Sequence, residues 1–130
     1  MKRLHLHIIC FALMLLPSLA YSDFSEDYFE CMGNIDYGAF KNTQMMVCVT
    51  AEIERQDVVL NREYQKLRRS LSQSQNSALV QAQRSWLGFR ENWCRFEEMT
   101  DFAPGGELNY KYCILSTTRD QINRIISQQF

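Results

Sequence analysis

Four cysteines, Cys31, Cys48, Cys94 and Cys113, follow an apolar N-terminal stretch, and together these features constrain the fold more than anything else in the chain. MKRLHLH supplies a basic start, IICFALMLLPSLA an apolar run and AYS a small-residue cleavage pattern, so residues 1–22 read as a signal peptide and 23–130 as one domain. The apolar run is shorter than the roughly 20 residues of a spanning helix. No second run follows it, so no membrane span is expected and the mature chain is placed in the periplasm or outside the cell. Cys10 lies inside the apolar run and leaves with it. In an oxidising compartment an even set of cysteines argues for two disulfides, with three pairings open. Sequential pairing, Cys31 with Cys48 and Cys94 with Cys113, closes two short loops and is preferred. Each closure stabilises by roughly 3 kcal/mol in the chain-entropy picture.

Composition then removes most chemistry. Both histidines, His5 and His7, fall within the first 22 residues. Without histidine, and with the thiols paired, no Ser-His or Cys-His nucleophile and no ordinary zinc site can be assembled. No catalytic residue, cofactor or metal is therefore expected, and carboxylates alone are left as acids or bases. Of the 14 basic residues, Lys2 and Arg3 leave with the leader, so 12 stand against 15 acidic ones, a net charge of −3. That balance argues against nucleic-acid binding.

The hydrophobic pattern is helical throughout. Ile53, Leu60, Tyr64, Leu67 and Leu71 recur in steps of three, four and seven after a cap expected at Asn42 and Thr43. Leu79, Ala82, Trp86, Phe89, Trp93 and Phe96 keep the rhythm in a second segment, and Tyr112, Leu115, Ile122 and Ile125 in a third. SLSQSQNS, residues 70–77, reads as the first connector and Ala103-Pro104-Gly105-Gly106 as the second. The fold class is all-α: an antiparallel bundle of three main helices with an N-terminal acidic extension, stapled by two disulfides. Large rings at helical spacing normally bury, so both tryptophans, Phe89 and Phe96 are expected in the helix-helix core. Arg90 falls beside that stripe, where a guanidinium needs a partner. Asp57, which with Gln56 interrupts the first helix seam, is the expected one, with Asn61 and Gln83 completing a structural polar core.

The ordered set Thr43-Gln44, Cys48, Asp57-x-x-Leu60-Asn61-x-x-Tyr64-x-x-Leu67, Ala82-Gln83-Arg84-x-Trp86-x-x-Phe89-Arg90-x-x-x-Cys94, Gly105-Gly106, Cys113 and Thr118 resembles the LprI-type lysozyme-inhibitor domain family. The match covers most of the mature chain. It departs at Glu107, Thr117 and Gln121, where serine, leucine and arginine are usual. The resemblance implies an exported, helical, disulfide-bonded envelope protein that inhibits a lysozyme-like peptidoglycan hydrolase, in defence or as an immunity protein. Acidic charge suits that role, because a basic enzyme that cuts sugars with paired carboxylates can be steered to an acidic plug. Two acidic aromatic segments are the expected contact surfaces. The first carries Tyr28, Glu30, Asp36 and Tyr37, and the second Glu98, Asp101, Phe102, Gly105, Gly106 and Glu107. A non-inhibitory envelope interaction module using the same surface is the alternative. An enzyme built on Glu97 and Asp101 ranks last, since the helix end expected there is a poor platform for two carboxylates.

Overall fold

In the computed structural model residues 23–38, 40–100 and 106–129 are described. The expected signal peptide, and Asp101, Phe102 and Gly105 of the expected contact loop, lie outside the described residues. Among the described residues the chain is all-helical, with no strand: α1 (Glu26–Gly33), α2 (Lys41–Ser70), α3 (Gln73–Thr100) and α4 (Gly106–Ile126).

The helix ends follow from short-range chemistry, some of it unexpected. α1 forms within the segment expected as an extension, because Ser25 caps it through its hydroxyl oxygen, 3.1 Å from the Tyr28 amide, and Glu26 and Asp27 face the positive end of the helix. α2 starts before the cap expected at Asn42 and Thr43. Phe40 is its N-cap, in left-handed backbone at φ 49° with no side-chain cap, and its carbonyl accepts the amides of Thr43 and Gln44. The polar run after Ser70 is almost entirely helical. Ser72 and Gln75 form a reciprocal box, with the Ser72 amide donating to Gln75 Oε1 at 2.9 Å, so α3 begins at once. Asn76 then clasps the end of α2, donating to the carbonyls of Arg68 at 2.9 Å and Leu71 at 3.3 Å.

α4 is the centre of the molecule. It packs against both α2 and α3, and α1 packs on α2. Leu108 and Leu115 join Tyr28, Ile35, Cys48 and Val49 in one apolar cluster. Ile122 and Ile125 join Leu60 and Leu67 in a second, against which Trp86 and Leu79 pack. Cys113 and Ile114 meet Cys94 in a third. The disulfides run Cys31 to Cys48 and Cys94 to Cys113, tying α1 to α2 and α3 to α4. Among the described residues no helix is long and apolar enough to cross a membrane.

One expectation about the core is overturned. Trp86 is partly buried, but Phe89, Trp93 and Phe96 are about half exposed, Trp93 at 47%. The reason lies in helix rotation. Cys94 must face α4 to make its bridge, so the inward row of α3 runs Leu79, Gln83, Trp86, Arg90, Cys94 and Glu97. The row through Phe89, Trp93 and Phe96 is displaced from it by roughly a quarter turn at 3.6 residues per turn. The rings pack on each other instead, with centroids 6.1 Å and 5.6 Å apart, and the Trp93 indole donates to Glu97 Oε1 at 2.7 Å.

Where α1 meets α4, burial and the neighbouring Tyr28 hydroxyl push Tyr112 up to about 12. A tyrosine with a raised folded-state value contributes stability in full below its unfolded value near 10, and loses it as pH rises toward 12. Alkaline titration at 295 nm is expected to show a late phenolate that the Tyr112→Phe variant lacks. An unchanged curve in the variant would contradict this packing.

Candidate functional site

Two polar centres inside the fold position everything on its surface. The first is Glu52, fully buried on α2. Its carboxylate accepts the Ser25 amide at 2.9 Å, the Ser25 hydroxyl, and the Gln56 side-chain amide at 2.7 Å, while Arg55 lies 3.6 Å away. Gln56 also donates to the carbonyl of Asp23 at 3.1 Å, and Arg55 pairs with Asp27 at 3.1 Å. A buried carboxylate is tolerated only when its oxygens are satisfied, so the segment leading into α1 is pinned to one place on α2.

The second centre joins three helices. Arg90 Nη1 donates to Asp57 Oδ1 at 3.3 Å and to the Thr118 hydroxyl at 2.7 Å, and the guanidinium lies 4.9 Å over the Trp86 ring. The Thr118 hydroxyl, fully buried on α4, donates in turn to the Ile114 carbonyl at 2.7 Å. Gln83 accepts from Gln121 at 2.9 Å, so Gln121 joins the same layer. Asn61, by contrast, faces solvent. α2 and α3 are held apart over α4, and between them opens a groove of about 500 Å³. Asp57, Leu60, Asn61 and Tyr64 line it from α2, and Gln83, Arg84, Leu87 and Arg90 from α3. Asp57, Leu60, Asn61, Tyr64, Gln83, Arg84, Trp86 and Arg90, which carried much of the resemblance at helical spacing, thus converge on one layer and one groove.

The acidic aromatic surface is partly as expected and partly not. Glu30, Asp36 and Tyr37 are exposed, Tyr37 at 66%. Tyr28 is the correction: it is 8% exposed, packed edge-on against Phe24 at 5.1 Å, and offers a partner almost nothing. The helical turn from Ser25 aims it at the core and turns Phe29, 54% exposed, outward instead. Phe40, whose strained backbone opens α2, is 87% exposed. Strain of that kind costs about 1 kcal/mol and is characteristically retained where a side chain is presented for use. The turn between is ordered by Asp36, which accepts the Gly38 amide at 2.8 Å and donates its own amide to Gln44 at 2.9 Å.

In the second expected surface, Glu98 is half-buried and bonded to Arg95 at 2.9 Å. Glu107 is exposed in the first turn of α4, and Gly106 lies so close to the Glu98 carbonyl that a Cβ would stand 3.0 Å from it. Glu97, one of two carboxylates considered for catalysis, holds the Trp93 indole, and its proposed partner Asp101 is outside the described residues.

Sequence reasoning missed Glu52; Thr118 stood only in the resemblance pattern, and Phe29 and Phe40 lay in the first acidic aromatic segment without being singled out. Glu52 had a usable signal, since it shares a helical face with Val49, Gln56, Leu60, Glu63 and Leu67, all buried. Phe40 had none, because an aromatic N-cap in left-handed backbone follows no propensity.

A family model described as Lysozyme inhibitor LprI matches residues 37–125. The chain belongs to the LprI family. No curated protein and no solved structure matches it. The LprI match begins at Tyr37, beside Phe40, and ends at Ile125. It takes in the Arg90 layer, the groove and both halves of the Cys94 to Cys113 bridge, while Cys31 and α1 precede it.

Proposed function

We propose that this LprI-family chain is exported by residues 1–22 and works in the periplasm or outside the cell as a non-catalytic antiparallel bundle. There it binds and blocks a lysozyme-like peptidoglycan hydrolase. The observation that carries the reading is the surface formed by α1 and the turn into α2: exposed Phe29, Tyr37 and Phe40 interleaved with exposed Glu26, Glu30 and Asp36. Aromatic rings supply anchors that fill pockets in a partner, and the carboxylates steer a basic enzyme toward them. The backbone beneath is held by the Cys31 to Cys48 bridge and the Ser25 to Glu52 bonds, so little ordering is needed on binding.

The test is the turnover of c-type lysozyme, and of a panel of bacterial peptidoglycan hydrolases, with and without the oxidised protein. Inhibition of at least one enzyme is expected, weakening as salt rises. Tyr37→Ala with Phe40→Ala is expected to weaken it by more than roughly 30-fold, the scale of losing a single interface anchor. Glu30→Gln with Asp36→Asn is expected to slow association. Absence of inhibition across the panel would leave a non-inhibitory interaction module.

A further inference from the structure

The groove between α2 and α3 lies outside that acidic surface and has the opposite electrostatics. From Val58 to Arg90 the chain carries Arg62, Lys66, Arg68, Arg69, Arg84 and Arg90 against the single acid Glu63. Glu63 is already committed: Arg62 Nε donates to it at 2.8 Å and the Gln129 side chain at 3.2 Å. The one carboxylate on the groove wall, Asp57, is likewise committed to Arg90. Arg68 lies over the Tyr64 ring at 5.7 Å and is held by Asn76.

Arg84 and Asn61 differ from these. Both are exposed, they line opposite walls of the groove, and among the described residues neither enters a hydrogen bond or ion pair. Between them the partly buried Val80 and Leu87, the latter 43% exposed, make an apolar strip, backed by the buried Leu60. An uncommitted guanidinium is a fork for a carboxylate, an uncommitted carboxamide can both donate to and accept from a peptide bond, and an apolar strip takes an aliphatic side chain.

We propose that this groove binds an acidic, extended peptide segment of a partner protein. Arg84 takes an aspartate or glutamate carboxylate, Asn61 bonds the backbone beside it, and the Val80 and Leu87 strip takes a neighbouring apolar residue. The strip and the amide favour a peptide over a purely charged polymer, which would need neither. A volume of about 500 Å³ suits a few residues.

The probe is a blocked six-residue peptide of alternating leucine and glutamate, titrated into the oxidised full domain by calorimetry and compared with its glutamine counterpart. The glutamate peptide is expected to bind at least tenfold more tightly, with affinity that falls as salt rises. Arg84→Gln is expected to weaken it at least tenfold with no change in melting temperature, since Arg84 supports no other contact. Asn61→Ala is expected to weaken it several-fold. Absence of binding, equal binding of the two peptides, or wild-type affinity in Arg84→Gln would overturn the proposal. Tighter binding of inorganic polyphosphate than of the peptide would overturn it in favour of a polyanion. Because hydrolase inhibition is read separately and through Tyr37 and Phe40, either proposal can fail while the other stands.

Discussion

Changing Cys94 and Cys113 together to alanine is expected to lower the unfolding free energy by about 3 kcal/mol, and the melting temperature by roughly 12 to 24 °C for a domain of about this size. The bridge does more here than close a loop. Cys94 is the only fully buried residue of α3, and its sulfur sits against Cys113 and Ile114 in the smallest of the three apolar clusters. The rest of the α3 interface is partly exposed: Leu79 and Trp86 pack at the edge of a cluster that α2 and α4 dominate, and Arg90 supplies polar contacts. Alanine at both sites avoids a lone reactive thiol and leaves a small void, which adds to the loss. Thermal unfolding followed by circular dichroism reads the effect. A fall of only a degree or two would mean that Arg90 and Trp86 alone fix α3, and that the rotation assigned to the bridge has another origin.

Glu52→Ala is the second large effect, with an expected loss of about 3 kcal/mol. Removing the carboxylate strands the Ser25 amide and hydroxyl in a part-buried site, and takes one acceptor from Gln56 and one of two carboxylates from Arg55. The damage should be local as well as global. Cys31 still tethers α1 to Cys48, but the segment before it is freed, so amide hydrogen exchange is expected to accelerate across residues 26–33 far more than across α4. Glu52→Gln keeps an acceptor for Ser25 while facing Gln56 with a second amide, and is expected to fall between the two. Uniform acceleration in every helix would contradict a local role for Glu52.

Much of this architecture was legible before any coordinates. Helical periodicity placed Leu60, Leu67, Leu115, Ile122 and Ile125 in the core, because a seam of large aliphatic residues has one favourable side. The isolated charges Arg90 and Asp57 could be matched for a similar reason: each interrupts an apolar stripe and needs a counter-charge. The same reasoning misplaced Phe89, Trp93 and Phe96, since periodicity gives the existence of a face but not its rotation, which the disulfide decides. α1 and the reach of α3 into the polar run were missed because their signals are caps, Ser25 and the Ser72 to Gln75 box, and not apolar periods. The acidic surface was legible as composition. Which rings it shows the solvent, Phe29 and Phe40 in place of Tyr28, depends on backbone torsions that composition does not carry.

That one helix, α4, is shared by all three apolar clusters among the described residues has a consequence for how the fold closes. Until α4 docks, the two larger clusters lack the wall that Leu108, Leu115, Ile122 and Ile125 supply, and Cys94 has no partner to oxidise with. α1 and α2 can pair through Cys31 and Cys48 without it, but no cluster is completed until α4 is in place. A keystone common to every cluster ties their fates together, so loosening α4 would open all three at once.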